Sequence, residues 1–271
     1  MKIAGCIIIY GKEQIFLENI KSYEKELDKI YIYDNNETSN LKKRIPQNNK
    51  FVYITEYENK GIAYALNYCA NLARKDGYQW LLTMDQDSIF QSSIQPMIDI
   101  AKESDRSVAL IAPTYDLNDF YEEEKLVAMT SGNLINLDIH YKIGGFKEYF
   151  FIDLVDYEYC LNLRKENYDI VFCKDVILKH RLGNINSKRI FGKTVYYTNH
   201  NPQRRYYITR NRLILNDLYK KYFPNFCKKE LKNSKREMVK VILFEKNKLE
   251  KIKMYIKAHK DYKKWSKEYE K

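Results

Sequence analysis

The first half of the chain alternates short, continuously apolar runs with segments of helical spacing, and this alternation limits the fold more than any other feature. Ile3–Ile9 is unbroken apolar sequence, which fits a strand buried on both faces. Residues 13–26 carry Ile15, Phe16, Asn19, Ile20 and Tyr23 near helical spacing. Residues 29–33 (KIYIY) read as a strand ending at Asp34, and the polar cluster 35–40 as a loop. Phe51–Thr55 is a further strand. Gly61 then opens a helix running to Lys75, with Ile62, Leu66, Cys69, Ala70 and Ala73 as its apolar stripe. Residues 80–84 form a strand that runs straight into Asp85-Gln86-Asp87. Residues 94–102 are helical, and residues 108–112 are a strand that Pro113 is expected to stop. Such a succession implies an α/β fold with a mostly parallel sheet and helices on both faces. Ligands of these sheets bind outside the carboxyl ends of the strands, the edge on which Asp34 and Asp85 fall.

The second half is more mixed. Residues 119–125 (DFYEEEK) read as a solvated acidic loop. Residues 129–135 read as a strand broken at Ser131-Gly132, and residues 155–166 as a helix. Two short strands are expected at 170–173 and 177–178, ahead of His180. Residues 181–198 show no period and read as a loop, and residues 201–222 and 232–260 show two long helical patterns. No repeat or Gly/Ser-rich linker appears. The division expected is a main domain over residues 1–225 and a basic, amphipathic helical tail over 226–271.

A chain of 271 residues can bury a substantial core, and 45% hydrophobic against 31% charged residues excludes a disordered chain. No apolar run reaches the roughly 20 residues that cross a bilayer. Five scattered cysteines without a CxxC argue against a disulfide framework or zinc knuckle and for a reducing compartment, most simply the cytoplasm. The net charge of +11 is unevenly placed: residues 228–271 hold 16 Lys and Arg against 7 Asp and Glu. The rest is nearly neutral, so nucleic acid is not expected as a partner. Nor do the 25 tyrosines group into a base-stacking motif.

The sharpest chemical feature is Met84-Asp85-Gln86-Asp87-Ser88 at a strand end. Two carboxylates one residue apart can share a hard cation, and a diphosphate leaving group needs such a cation. An ordinary acidic turn has the same spelling; the position after the fourth strand favours function. In the segment Phe151-Ile152-Asp153-Leu154-Val155-Asp156-Tyr157-Glu158, both Asp156 and Glu158 fall at a helix start, where either a cap or a general base would sit. His180 ends a strand and could add a nitrogen ligand or serve only in packing. No GxxxxGK[ST] is present, which argues against a P-loop NTPase.

Taken in order, the motifs resemble the inverting family 2 glycosyltransferases of GT-A fold, and within them the bacterial rhamnosyltransferase-like group. The residues that carry the resemblance are Tyr33-Asp34-Asn35-Asn36, Asn59-Lys60-Gly61-Ile62-Ala63 with Leu66-Asn67, and Leu82-Thr83-Met84-Asp85-Gln86-Asp87-Ser88. Further on they are Thr130-Ser131-Gly132, Gly144-Gly145-Phe146, Asp153 with 155–160 (VDYEYC), 180–183 (HRLG), and Arg204-Arg205-Tyr206-Tyr207 with Arg210-Asn211. Together they span about residues 3–215 and leave out the basic tail. After the first strand the chain departs from the family, with Ile9-Tyr10-Gly11-Lys12 in place of a Thr-Tyr-Asn type of sequence.

The resemblance implies a Rossmann-like, mostly parallel sheet flanked by helices, with a C-terminal helical extension. It implies that Asp34 hydrogen-bonds the pyrimidine of a nucleotide-sugar and that Asn59 and Gly61 wall this base site. Asp85 would face ribose and cation. Asp87 and His180 would complete a site for Mg2+ or Mn2+. Asp156 would be the catalytic base, with Glu158, Ser131 and Gly132 around the acceptor and sugar. Arg204, Arg205 and Arg210 would meet diphosphate oxygens.

The expected reaction is one inverting displacement from a nucleotide-sugar, dTDP-rhamnose or a UDP-sugar, to a glycan or lipid-linked glycan of a surface polysaccharide. The alternatives are a hexosyl- or galactofuranosyltransferase of the same fold, a non-catalytic nucleotide-binding or membrane scaffold, and a nucleotidyltransferase. The tail's apolar residues Met238, Val241, Ile242, Leu249, Ile252, Tyr255 and Ile256 recur at helical steps among lysines. They suit either packing on the domain or a twin subunit, giving a homodimer, or docking on the membrane's cytoplasmic face.

Overall fold

A computed structural model of the chain describes residues 1–11, 16–115, 126–180, 186–190 and 192–269, with backbone only at His180 and Ile190. The acidic run at 119–125, the start of the first helical segment and the Arg181-Leu182-Gly183 stretch lie outside the described residues. Two compact units are present: Met1–Phe151 with Val155–Arg181, and Ile152–Leu154 with Leu182–Lys271. The division expected near residue 225 falls within the second unit.

The first unit is built on eight strands: β1 (Ile3–Ile9), β2 (Lys29–Asp34), β3 (Phe51–Thr55), β4 (Trp80–Asp85), β5 (Ser88–Phe90), β6 (Val108–Tyr115), β7 (Asn133–Asn136) and β8 (Asp169–His180). Their order in the sheet is β3-β2-β1-β4-β7-β6-β8-β5. The run from β3 to β4 is parallel, as are β6 and β8; β7 is antiparallel to both of its neighbours, and β5 to β8. Every residue of β1 is buried, because the strand has a partner on each side and layers on both faces. Around the sheet lie helices α1 (Phe16–Ile20), α2 (Ile62–Lys75), α3 (Gln95–Glu103), α4 (Leu137–Lys142) and α5 (Val155–Lys165). In α2 the sheet-facing positions are small or slender (Ala63, Leu66, Cys69, Ala70, Ala73), and all are buried. The five cysteines are buried free thiols, as the spacing implied.

Three local expectations are corrected. Pro113 does not end its strand. β7 pairs with β6 only at Leu110 and Ile111, and the register with β8 shifts between Pro113 and Thr114. A missing N–H is tolerated at such a bulge. On the partner side the expected pair of short strands is one strand, β8, which takes up residues 174–176 in the same irregularity. Residues 181–198, read as a loop, contain the antiparallel hairpin β9 (Asn186–Ile190) and β10 (Lys193–Tyr197).

The hairpin belongs to the second unit, with α6 (Pro202–Tyr219), α7 (Pro224–Phe244) and α8 (Lys248–Tyr269). Asn201 caps α6, its side-chain oxygen accepting from the Arg204 N–H at 2.7 Å. The single tail helix expected over residues 232–260 is two helices broken at residues 245–247. Glu245 at the break is buried, and its carboxylate binds Lys251 at 2.9 Å and Arg205 at 3.3 Å.

Candidate functional site

Parallel pairing places the ends of β2, β1 and β4 on one edge, with Ile9 beside Asp34 and Ile8 beside Asp85. Asp34 and Asp85 thus flank the end of β1, two strand spacings or about 10 Å apart along the sheet. A nucleoside can bridge that span.

Asp34 is buried, and its carboxylate is held from two sides. Tyr53 donates to Oδ2 at 2.7 Å, and Asn36 donates to Oδ1 through its side-chain amide at 2.7 Å. Burial, together with the neighbouring carboxylate, pushes the Tyr53 hydroxyl up to about 12, so it remains a donor at neutral pH. The loops of this edge are laced together. Gln86 exchanges two hydrogen bonds with the Tyr10 backbone, at 2.8 and 3.0 Å, and Gly11 N–H donates to Asn36 Oδ1 at 2.7 Å. The Asn35 side-chain oxygen accepts from Lys60 N–H at 2.9 Å, and that of Asn59 from Gly61 N–H at 3.0 Å. Gln86, Asn35 and Asn36 stand within the motifs but had no part assigned to them there, and Tyr53 lies outside the motifs. For Asn35, Asn36 and Gln86 the position beside Asp34 or between Asp85 and Asp87 was the available signal; Tyr53, 19 residues from Asp34, had none.

Gly61 starts α2 at φ +85, and a Cβ there would lie 2.7 Å from the Phe151 carbonyl oxygen. The backbone therefore passes close to Phe151, whose carbonyl accepts from Ile62 N–H at 2.8 Å. Asn59 and Gly61 thus fix the path of the 59–62 loop next to the loop that follows β2.

Asp85 and Asp87 are half-buried on either side of the turn from β4 to β5. The Asp85 N–H donates to Ser131 Oγ at 3.0 Å, and Gly132 N–H donates to the Thr83 carbonyl at 2.7 Å. Ser131 and Gly132 therefore brace the end of β4 through hydrogen bonds of their own. β5 pairs with β8 so that Ser88 lies opposite the backbone of His180, bringing His180 next in register to Asp87. Among the described residues no three His, Cys, Asp or Glu side chains form a ready-made cation cage. Two carboxylates at a strand end still suit a hard cation that takes its other ligands from phosphate and water.

Asp156 lies in the first turn of α5, where the helix end favours negative charge, and its Oδ1 accepts from Tyr157 N–H at 2.9 Å. It lines a cavity of about 10 Å³ with Thr83, Thr130, Asn133, Tyr159 and Cys160, among others. Leu110, Ala128, Ile135 and Phe146 complete its apolar wall. The cavity places Asp156 near Thr83 of β4 and Thr130 ahead of β7. Glu158 is fully buried on the same helix. Burial pushes the Cys160 thiol up to about 12, which keeps it an inert neighbour of the carboxylate.

In the second unit, Arg204 grips the Asp153 carboxylate through Nε and Nη2 at 2.9 to 3.1 Å. Arg205 is turned inward, buried, with Glu237 at 2.7 Å and Glu245 at 3.3 Å. Arg210 lies over the rings of Tyr206 and Tyr207. Arg204 and Arg205 each hold carboxylates of the chain.

The sequence profile of Glycosyl transferase family 2 matches residues 6–173. The dTDP-rhamnosyl transferase RfbF of Shigella flexneri is 26% identical over 287 aligned positions, covering 94% of this chain and 93% of that protein. Among solved structures, the mannosyltransferase PcManGT of Pyrobaculum calidifontis in complex with GDP-Man and Mn2+ superposes with a TM-score of 0.61 at 14% identity. That match covers 98% of this chain and 83% of the other. S. aureus TarS 1-349 in complex with UDP-GlcNAc gives 0.58 at 14% identity, covering 97% and 80%. GalNAc-T7 with UDP, GalNAc and Mn2+ gives 0.59 at 11% identity over 83% of this chain, which spans 49% of that longer protein. These similarities show the fold to be GT-A.

Proposed function

The chain belongs to glycosyl transferase family 2, and from that premise we propose that it moves rhamnose from dTDP-rhamnose to a glycan acceptor with inversion at the anomeric carbon. The observation that carries this reading is the joint placement of Asp34 and Asp85 at one sheet edge, with Asp156 sharing a cavity with the β4 strand that ends in Asp85. In the proposed reaction Asp34 accepts a hydrogen bond from the pyrimidine N–H of the donor. Asp156 takes the proton of the acceptor hydroxyl as that oxygen attacks the anomeric carbon. The bond to the nucleoside diphosphate breaks in the same displacement, so no covalent sugar intermediate arises. Asp85, Asp87 and His180 are the residues that would hold Mg2+ or Mn2+, which when bound neutralises charge on the departing diphosphate. The near relation in length and sequence to RfbF, whose name specifies a dTDP-rhamnosyl donor, supports rhamnose over other hexoses.

A panel of dTDP- and UDP-sugars assayed with Mg2+ or Mn2+ tests this. Turnover of dTDP-rhamnose by the wild type and not by Asp87→Ala is expected, with an inverted linkage in the product. The Asp156→Asn protein is expected to bind donor normally and to transfer nothing; an active Asp156→Asn protein would remove the base assignment. Turnover restricted to a UDP-hexose would move the assignment to a hexosyltransferase of the same fold. Retained activity in Asp87→Ala would remove the cation site.

No helix among the described residues is long and apolar enough to cross a membrane. Peripheral attachment through α7 and α8 belongs to the same proposal, because surface-polysaccharide acceptors carried on lipid would be met there.

A further inference from the structure

Three non-glycine residues just before α5 have backbone angles that side chains disfavour: Phe151, Asp153 and Leu154, at φ +62, +64 and +60. A leucine at positive φ is a genuine outlier and persists only where surrounding structure imposes it. The restraint on residues 152–154 comes from α6. Asn211 is fully buried there, and its Nδ2 donates to two successive carbonyls, Ile152 O and Asp153 O, each at 2.9 Å. In extended chain, successive carbonyls point to opposite sides, so one amide cannot reach both. The left-handed turn at Asp153 brings them together. Seven residues earlier on α6, two turns along one face, Arg204 clasps the Asp153 carboxylate with Nε and Nη2. Asn211 Oδ1 is itself occupied by the Arg210 guanidinium at 2.8 and 3.1 Å. The amide is therefore fixed in the orientation that aims Nδ2 at the turn.

The geometry points to Asn211 and Arg204 as positioning residues that hold the 152–154 turn and thereby set the place of Asp156, two residues beyond it. The inference rests on Asp156 being the base. It assigns Arg204 to a carboxylate of the chain rather than to donor phosphate. A displacement of about 1 Å at a reacting carboxylate lowers a rate by about 10²-fold while leaving donor contacts elsewhere intact. A buried asparagine in mid-helix is also a poor choice for stability alone, since alanine has the better helix propensity and no amide to desolvate.

The test compares full-length Asn211→Ala, Asn211→Asp, Arg204→Gln and Asp156→Asn, with dTDP-rhamnose and Mn2+ as probe. Asn211→Asp keeps the shape but replaces the donor with an acceptor facing two carbonyls. Both Asn211 variants are expected to lose on the order of 10²-fold in kcat with donor affinity within twofold of wild type. Hydrogen exchange at the amides of 153–157 is expected to rise in both. Arg204→Gln, at the exposed side of the clasp, gives a readout should the Asn211 variants fail to fold. Its kcat is expected to fall about tenfold at constant donor affinity. Weakened donor binding with unchanged kcat in Arg204→Gln would overturn the assignment, because a phosphate contact behaves that way. So would wild-type kcat in a folded Asn211→Ala protein. If Asp156→Asn is active, the base reading fails instead, and exchange at 153–157 still reports whether Asn211 holds the turn.

Discussion

Burial keeps the His140 imidazole neutral, with its pKa pushed down to about 4 from the ordinary 6.5. Its Nδ1 lies 3.1 Å from the Tyr159 hydroxyl, and its ring packs against Phe146 and Tyr159. Between those two pH values the unfolded chain binds a proton that the folded one refuses. The stabilisation is therefore complete above pH 6.5 and is lost as the pH falls toward 4, by about 3 kcal/mol in all. His140→Phe should remove this component. Denaturant unfolding at pH 7 and 4.5 is expected to show wild type losing more stability than the variant, and equal losses would contradict the assignment. Gly61 sets a different limit. Alanine there meets both a positive φ and a Phe151 carbonyl oxygen at 2.7 Å, so Gly61→Ala is expected to cost roughly 1–3 kcal/mol, read as a lower Tm.

Among the elements, Glu245 shows why the C-terminal region was only partly legible. In the sequence it is one acid in a lysine-rich helical pattern, and residues 232–260 read as a single helix. In the fold it is buried at a break between α7 and α8, bound to Lys251 in the next helix and to Arg205 in α6. A partner 40 positions away leaves no local periodicity to read. Glu245→Ala would leave two buried cations short of counter-charge. The expected loss is about 3 kcal/mol, measured by denaturation of a Trp80→Phe background in which Trp265 of α8 reports alone. β1 to β4 and α2 were legible for the opposite reason, since their burial is written into unbroken apolar runs or a single helical stripe. Pro113 and residues 174–176 misled because a bulge absorbs what looks like a terminator. Of the candidate site, the shared edge of Asp34 and Asp85 could be read because each closes a strand. The hydrogen bonds of Gln86 and Asn36 could not, because they reach backbone that only folding brings near.

At the scale of the whole molecule, exposed apolar residues and lysines occur together on the second unit's last two helices among the described residues. Val239, Ile242 and Leu243 are about half exposed along one face of α7, and Leu249 and Ile256, one heptad apart on α8, are 77% and 50% exposed. Val241 of the expected stripe is instead buried, and Met238, Ile252 and Tyr255 are half-buried. The stripe therefore serves both packing and surface. Exposed Lys246, Lys248, Lys253, Lys257 and Lys260 lie in the same stretch of chain. Exposed apolar side chains interspersed with lysines suit the headgroup region of an anionic bilayer, each lysine contributing about 1 kcal/mol near such a surface. Deleting the tail is a poor test, because Tyr206 and Asp217 of α6 hydrogen-bond Asp261 and Tyr262 of α8. Val239→Ser, Leu243→Ser, Leu249→Ser and Ile256→Ser combined leave that packing alone. Wild type is expected to sediment with phosphatidylglycerol vesicles at low salt, to be released by high salt, and to ignore phosphatidylcholine vesicles. The combined variant should stay in the supernatant with an unchanged Tm. Wild type that never sediments, or a variant that sediments equally well, would assign these residues to another partner, and a concentration-dependent mass lost in the variant would identify it as a second copy of the chain.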